Sequence, residues 1–242
     1  MRKIILSFIV ILFLIPKPAN SQNNGAAVAG AITTTAAAIG SIIMTINIVQ
    51  EQVELNATEW ILNAHPELTS FSLKTLDFDG KRITDLSSTS IISYRIREFV
   101  PKDKPELNGK KYVLFALTSY GWISDYGVNI NKVKWILFDK NEWANIITAY
   151  VKLSSGVMDE VYIKDVINKG KITSKGIIVN NKLEIPFYKL EGDMYLVNDY
   201  SPKLKIVYNE KSLGFFLKET SDLVQLNKLS LFMISDYFFV EN

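Results

Sequence analysis

No charged residue occurs between Lys17 and Glu51, and residues 25–49 within this stretch are almost all small or apolar. A helix over these residues is long enough to span the apolar part of a bilayer. Thr33–Thr35 and Asn47 lower its hydrophobicity, which argues against insertion. The sequence leaves three alternatives open: a membrane-inserted helix, a helix packed on its own protein or on a partner, and a poorly ordered leader.

The same stretch is rich in Gly and Ala at spacings that place small side chains on one side of a helix. Small residues four apart let two helices approach closely, because no bulky side chain separates their backbones. The predicted helix is therefore suited to packing against another helix. Its helix-packing residues are predicted to be Ala26, Gly30, Ala37 and Gly40.

Residues 1–21 have the layout of a secretory signal peptide. Arg2 and Lys3 precede an apolar run over residues 4–15, and small residues stand just before Gln22. This run is shorter than the roughly 20 residues that span a bilayer, which favours cleavage over an uncleaved signal anchor. We therefore expect an exported bacterial protein that is periplasmic, extracellular or associated with the cell envelope.

The uncharged stretch continues into an amphipathic helix that ends at His65, because Pro66 disfavours helical geometry in the residue before it. The apolar residues of this helix recur every three or four positions, and they are Val49, Val53, Ala57, Trp60, Ile61 and Ala64. We treat residues 22–66 as one segment, an apolar helix that continues as an amphipathic helix. Such a helix can dock on its own domain, on a partner or on a membrane surface, so residues 25–64 are the predicted attachment region.

From residue 67 the pattern changes to short strands separated by turn residues. Residues 91–100 alternate between apolar and polar side chains, which predicts a strand with one buried and one solvated face. The apolar face carries Ile92, Tyr94 and Ile96, and the polar face carries Ser93, Arg95 and Arg97. Residues 110–120 contain a continuous apolar run typical of a central strand, and residues 132–138 predict another strand.

Two helices are predicted after these strands. Asp139 starts the first, with Glu142 three residues later, as in a capping box. The second covers residues 157–169 and ends at Gly170, a residue type common just past a helix C-terminus. Its inward side chains are predicted to be Met158, Val161, Tyr162, Val166 and Ile167.

The remaining sequence predicts further strands, and together with the preceding elements it indicates the fold class. Residues 176–185 indicate a hairpin that turns at Asn180 and Asn181, because Asn tolerates the left-handed backbone conformation. Further strands are predicted near residues 186–190, 193–198, 204–208, 214–219 and 231–239. Since strands and helices do not alternate regularly, we predict an α+β fold with an antiparallel sheet and two or three packed helices. The long N-terminal helix rich in small apolar residues precedes it.

Residues 67–242 are predicted to form a single α+β domain. This domain contains one internal echo, because KVKWILFDKN at 132–141 and KLKIVYNEKS at 203–212 both follow an Asp-Tyr pair by a few residues. A duplication explains the echo, and so does chance similarity between two Lys-flanked strands. One undivided domain and two weakly related halves are both compatible with the sequence.

The chain has no Cys and one His, which excludes thiolate metal sites, Cys nucleophiles and any site that needs two histidines. His65 stands at a predicted helix end, next to no Ser-bearing catalytic motif, so we interpret it as structural. No glycine-rich phosphate-binding motif occurs either. The sequence therefore predicts no catalytic residue, no metal site and no cofactor.

Two acidic pairs have both a chemical and a structural interpretation. Asp77 and Asp79 resemble the start of a calcium loop, but Ser88 stands where such a loop needs its last Glu, so a turn explains the pair better. Asp139 and Glu142 are a carboxylate pair of the kind used in glycoside hydrolysis. Helix capping explains both residues without catalysis.

Residues 118–129 (TSYGWISDYGVN) form the most distinctive polar and aromatic segment and join two apolar strands. Loops on a rigid sheet often carry binding residues, and aromatic rings with one carboxylate suit a sugar or a peptide. The predicted ligand-binding residues are Tyr120, Trp122, Asp125 and Tyr126. The alternative is an aromatic corner that fills the edge of the core.

Charge restricts the class of partner. Residues before Gln22 hold three of the 27 basic residues and no acid, so the mature chain has 24 basic against 25 acidic residues. This balance argues against a nucleic-acid partner.

The leading hypothesis is an exported, envelope-associated, non-catalytic protein that attaches through residues 25–64 and binds an unidentified partner or ligand. The alternatives are a secreted carboxylate-dependent hydrolase of glycan or peptide, and a small-residue helix that inserts and oligomerises in a membrane.

Overall fold

Most strands in the described chain pair with the strands next to them in sequence. The structure is a computed structural model that describes residues 46–77, 90–124, 127–192 and 194–240. These residues belong to one compact unit, Met44–Asn242. The predicted signal peptide, the helix-packing residues Ala26, Gly30, Ala37 and Gly40, and the loop residues Asp125 and Tyr126 lie outside the described residues.

The described chain contains four helices and thirteen strands, and all strand pairings are antiparallel, which confirms the α+β class. The helices are α1 (Ile46–Ala64), α2 (Lys140–Ser155), α3 (Glu160–Lys169) and α4 (Lys228–Phe239). The first strands are β1 (Phe71–Asp77), β2 (Ser90–Glu98), β3 (Lys111–Thr118), β4 (Ile123–Ser124), β5 (Gly127–Val128) and β6 (Val133–Asp139). The later strands are β7 (Lys171–Thr173), β8 (Gly176–Val179), β9 (Lys182–Pro186), β10 (Leu196–Ser201), β11 (Leu204–Asn209), β12 (Ser212–Leu217) and β13 (Asp222–Asn227).

Two four-stranded sheets dominate the architecture. The first has the strand order β1-β2-β3-β6 and the second the order β10-β11-β12-β13. In each sheet the last strand passes directly into a helix, α2 or α4, whose N-cap is the last residue of that strand, Asp139 or Asn227. The two strands of the predicted sequence echo become β6 and β11, the fourth strand of one sheet and the second of the other. The strand-to-helix arrangement is thus shared between the sheets, whereas the echo occupies different positions in them.

The first sheet is covered on both faces. Helix α1 packs on one face through Val49, Val53, Ala57 and Ile61, all 1% exposed or less, against the apolar side chains of β2 and β3. The second sheet, α2 and α4 contribute to the core on the other face, where Phe115 contacts Trp143 and Phe215 edge to face. Helix α1 therefore contributes to the core of the described chain.

The double cover corrects the prediction of a strand with one solvated face. Ser93 lies on the predicted polar face but is completely buried, and β2 is buried on both faces from Ser90 to Tyr94. Only the end of the strand that carries Arg95 and Arg97 is partly open. The alternation in the sequence reflects the pleat correctly, but it does not show that a second layer covers the other face.

Two further predictions about elements are wrong in part. Met158 and Val161 are 68% and 80% exposed, because α3 begins after the N-cap Asp159 and packs through a stripe that consists of Ile163, Val166 and Ile167. Residues 231–239 are helical, because Asn227 caps α4 by accepting the Ser230 N–H.

The hairpin turn is as predicted, with positive φ at Asn180 and Asn181. Among the described helices, none is both long and apolar enough to cross a membrane.

Candidate functional site

Of the predicted ligand-binding residues in the aromatic loop, the structure describes two and separates them. Tyr120 is 76% exposed, whereas Trp122 is completely buried in the core beneath α1. The loop is closed by a hydrogen bond from the Asn129 N–H to the Trp122 carbonyl (2.7 Å) and by one from Lys132 Nζ to the Tyr120 carbonyl (2.8 Å). Trp122 fits the alternative of an aromatic corner, since a buried indole presents no surface to a ligand.

His65, the single histidine of the chain, has structural partners. His65 Nδ1 lies 2.9 Å from Glu67 Oε1, and its ring packs 5.3 Å from that of Trp60, so it completes the end of α1. The pKa of Glu67 is lowered by a hydrogen bond from the backbone N–H of Glu67 itself and by a second one from the His65 side chain. Asp79 lies outside the described residues. Within the described chain, no three His, Asp or Glu side chains cluster as metal ligands would.

The capping box at the start of α2 forms as predicted. The Glu142 N–H donates to Asp139 Oδ1 (2.8 Å), and the Asp139 N–H donates to Glu142 Oε2 (3.0 Å). Both carboxylates therefore satisfy backbone donors that the helix leaves unpaired at its N-terminus. This accounts for the pair without glycoside chemistry.

A basic groove of about 1160 Å³ is the most distinctive concave surface in the described structure. It lies where the open end of the first sheet meets the N-terminus of α2 and the C-terminal part of α4. One carboxylate, Asp139, lines it, and six basic side chains do so: Lys74, Arg95, Arg97, Lys110, Lys111 and Lys140. The groove therefore concentrates positive charge on a chain whose overall charge is close to zero.

The strand register places four of these cations on one patch of the sheet. Lys74 on β1 is directly opposite Arg95 on β2, and Lys111 on β3 is directly opposite Arg97. Arg95 and Arg97 are two residues apart, so they point to the same face. Like charges that face each other across paired strands destabilise a sheet. The opposed pair Lys74 and Arg95 is thus electrostatically unfavourable, and a bound anion would relieve its repulsion.

In the described part of the chain, no carboxylate forms an ion pair with Lys74, Arg95 or Arg97 at the centre of the groove. The Arg97 Nε–H donates to the Leu107 carbonyl (2.7 Å), which fixes that side chain without cancelling its charge. The two guanidinium groups retain donors for a ligand, because each group has five N–H bonds.

Helix α4 forms the aromatic wall of the groove. The Tyr237 hydroxyl donates to the Ile96 carbonyl (2.6 Å), and Lys111 Nζ lies 5.3 Å from the centre of the Tyr237 ring. Burial raises the pKa of Tyr237 to about 12, and the nearby Arg97 and Arg95 oppose this rise. Tyr237 is therefore a neutral hydrogen-bond donor at physiological pH and adds no negative charge to the groove.

The N-terminus of α2 adds to the positive potential. Lys140 and Asn141, the first two residues of that helix, line the groove. Backbone N–H groups in the first turn have no acceptor within the helix, and the helix dipole is positive at this end. Asp139 offsets part of this charge. The site as a whole suits a ligand with more than one negative charge.

Sequence reasoning assigned Arg95 and Arg97 to a solvated strand face and missed the groove. One signal was present, because the chain has 23 Lys and only four Arg, and two of the four stand two positions apart. Arginine is the residue that binds phosphate or carboxylate with two parallel hydrogen bonds. Lys74 and Lys111 have no comparable signal, since strand pairing alone brings them to the arginines.

Comparison of the chain with protein-family models, with curated proteins and with solved structures finds no match. The function is therefore inferred from the groove itself.

Proposed function

We propose that this chain is an exported, non-catalytic protein that binds an anionic ligand in the basic groove. The observation that carries the proposal is the patch formed by Lys74, Arg95, Arg97 and Lys111, which is assembled by strand register and lies in a cavity large enough for a small organic ligand. A charge-assisted hydrogen bond contributes about 1.5–3 kcal/mol, so two arginines suffice for measurable affinity.

Export and attachment belong to the N-terminal part of the proposal. The signal-peptide pattern of residues 1–21 supports export. Helix α1 buries its apolar stripe on its own sheet, so its residues do not offer that stripe to a membrane or a partner helix. We therefore assign envelope attachment to residues 25–45, where the small-residue pattern of Gly30 and Gly40 lies.

A binding role explains the groove better than hydrolysis does. A glycosidase of the common type needs two carboxylates on either side of the bond that it cleaves. Asp139 is the one described carboxylate in the groove, and its side chain already accepts the Glu142 N–H. We therefore assign the groove to anion recognition. In this proposal Asp139, the N-cap of α2, lines the groove but has a structural role.

Calorimetric titration of residues 22–242 with tripolyphosphate at low salt tests the proposal. We expect the double substitution Arg95→Gln/Arg97→Gln to weaken binding by at least about tenfold, since each tenfold corresponds to 1.4 kcal/mol. The matched control is Lys175→Gln/Lys182→Gln, which removes two exposed charges outside the groove. Equal losses in both variants, or no binding by the unaltered chain, would overturn the proposal. Circular dichroism verifies that each variant is folded.

A further inference from the structure

We infer that the groove contains two anion subsites and takes a ligand with two phosphate groups about 8 Å apart, the diagonal of two residues along a strand and one spacing between strands. The inference rests on the proposed function and specifies the chemistry of its ligand. The first subsite consists of Lys74 and Arg95, and the second of Arg97 and Lys111.

The strand register produces this division. Each subsite is a directly opposed pair on adjacent strands, with one arginine from β2 and one lysine from a neighbouring strand. Paired strands lie about 4.8 Å apart, so one anion can reach both cations of a pair. The first subsite lies between β1 and β2 and the second between β2 and β3, so the two subsites are diagonal to each other on the sheet. A single phosphate held by Arg97 and Lys111 leaves the like charges of Lys74 and Arg95 facing each other.

The composition of each subsite favours phosphate. A guanidinium group presents two parallel N–H donors to two oxygens, and a lysine ammonium adds a point charge beside them. Arg97 is already oriented by its hydrogen bond to the Leu107 carbonyl. The Tyr237 ring adjoins the second subsite and carries Lys111 above it. This wall gives the segment between the two phosphates an apolar surface to lie against.

The size of the groove agrees with a ligand larger than one phosphate. Sites for drug-sized ligands have volumes of about 300–1,000 Å³, and this groove measures about 1160 Å³. Two phosphates joined by a short organic segment occupy such a space, whereas inorganic phosphate leaves most of it to water.

A series of alkane bisphosphonates with increasing numbers of methylene groups tests the inference, with methylphosphonate as the single-anion reference. We expect affinity to pass through a maximum at the spacer that separates the phosphonates by about 8 Å, about tenfold above methylphosphonate. Arg95→Gln should abolish the maximum and leave methylphosphonate binding at the second subsite. Arg95→Lys keeps the positive charge but loses the two parallel N–H donors of the guanidinium group, so this variant should retain a weaker maximum.

The outcomes separate this inference from the proposed function. Affinity that increases steadily with spacer length, or that does not depend on it, overturns the two-subsite arrangement, while tripolyphosphate binding that depends on Arg95 and Arg97 still supports the function. Absence of binding to every anion overturns both. Competition by vesicles that contain a lipid with two phosphates assigns the ligand to a membrane headgroup, and binding without such competition assigns it to a soluble bisphosphate.

Discussion

Tyr237 in α4 donates its phenolic hydrogen bond to the backbone carbonyl of Ile96 in β2, over 2.6 Å and a sequence separation of 141 residues. This bond joins the last helix of the chain to the first sheet, next to Arg95 and Arg97. The groove therefore depends on the docking of α4, because the sheet forms its floor and the helix forms one wall.

We expect Tyr237→Phe to lower the free energy of unfolding by about 1 kcal/mol, the usual net contribution of one hydrogen bond. Denaturant unfolding followed by circular dichroism measures this change. Tyr195→Phe is the control, because Tyr195 is 47% exposed, and we expect it to change stability by less than about 0.5 kcal/mol. Equal stability of the Tyr237 variant and the unaltered protein would contradict the role of this bond in docking α4.

Local signals made much of the fold predictable. The capping box at Asp139 and the turn at Asn180 and Asn181 depend on residues within three positions of each other, and both form as predicted. The sequence predicts a strand at 231–239, whereas the structure has a helix there, because the periodicity of a short apolar run does not distinguish strand from helix. The cap at Asn227 decides in favour of the helix.

The candidate site could not be predicted in the same way, because its residues are distant in sequence. Lys74 is opposite Arg95, and Lys111 is opposite Arg97, only through strand register. The composition of the aromatic loop predicts a binding site, yet the Trp122 side chain is buried in the core. Composition identified residues with large side chains, and the packing of a second layer determined which of them are exposed.

Helix α1 provides a second prediction, because it presents adjacent apolar residues to opposite environments. Ile61 is completely buried against the first sheet, and Leu62 is 58% exposed. We expect Ile61→Ala to cost about 2–5 kcal/mol, the range for truncating a large buried aliphatic residue. Leu62→Ala is the matched control and should cost less than about 0.5 kcal/mol. Similar small effects of both substitutions in chemical unfolding would show that α1 is not part of the core.

Two buried tyrosines, Tyr94 and Tyr150, and the half-buried Tyr237 predict loss of stability in alkali. Burial raises the pKa of Tyr94, of Tyr150 and, to about 12, of Tyr237. Each folded-state pKa lies above the unfolded value of about 10, so the contribution of all three is present below pH 10. That of Tyr237 is lost as pH rises from about 10 through 12, and that of Tyr94 and Tyr150 decreases over the same range and beyond it. We expect the free energy of unfolding to fall across this range, with tyrosinate absorbance appearing cooperatively at unfolding. Early, gradual ionisation of all tyrosines in the folded protein would contradict the prediction.

Tyr94 allows a control for this pH dependence. Its hydroxyl is buried without a hydrogen-bond partner in the described structure, and the charge of Glu54 on α1 adds to the rise in its pKa. Because Tyr94→Phe removes a desolvated hydroxyl and leaves the ring in place, we expect it to cost little or to stabilise at neutral pH. The variant should also lose less stability between pH 10 and 12 than the unaltered protein, which parallel pH titrations of unfolding would measure.

Asp139 has two roles that substitution can separate, because it caps α2 and is also the carboxylate in the basic groove. Asp139→Ala should lower the free energy of unfolding by about 1 kcal/mol, since the Glu142 N–H loses its acceptor. Asp139→Asn keeps an acceptor for that N–H, so we expect its stability to change by less than about 0.5 kcal/mol. Both variants remove a negative charge beside the anion, and we expect both to bind tripolyphosphate about two- to tenfold more tightly. Tighter binding by Asp139→Asn at unchanged stability would place the ligand next to the N-terminus of α2. Unchanged affinity in both variants would show that the anion binds elsewhere.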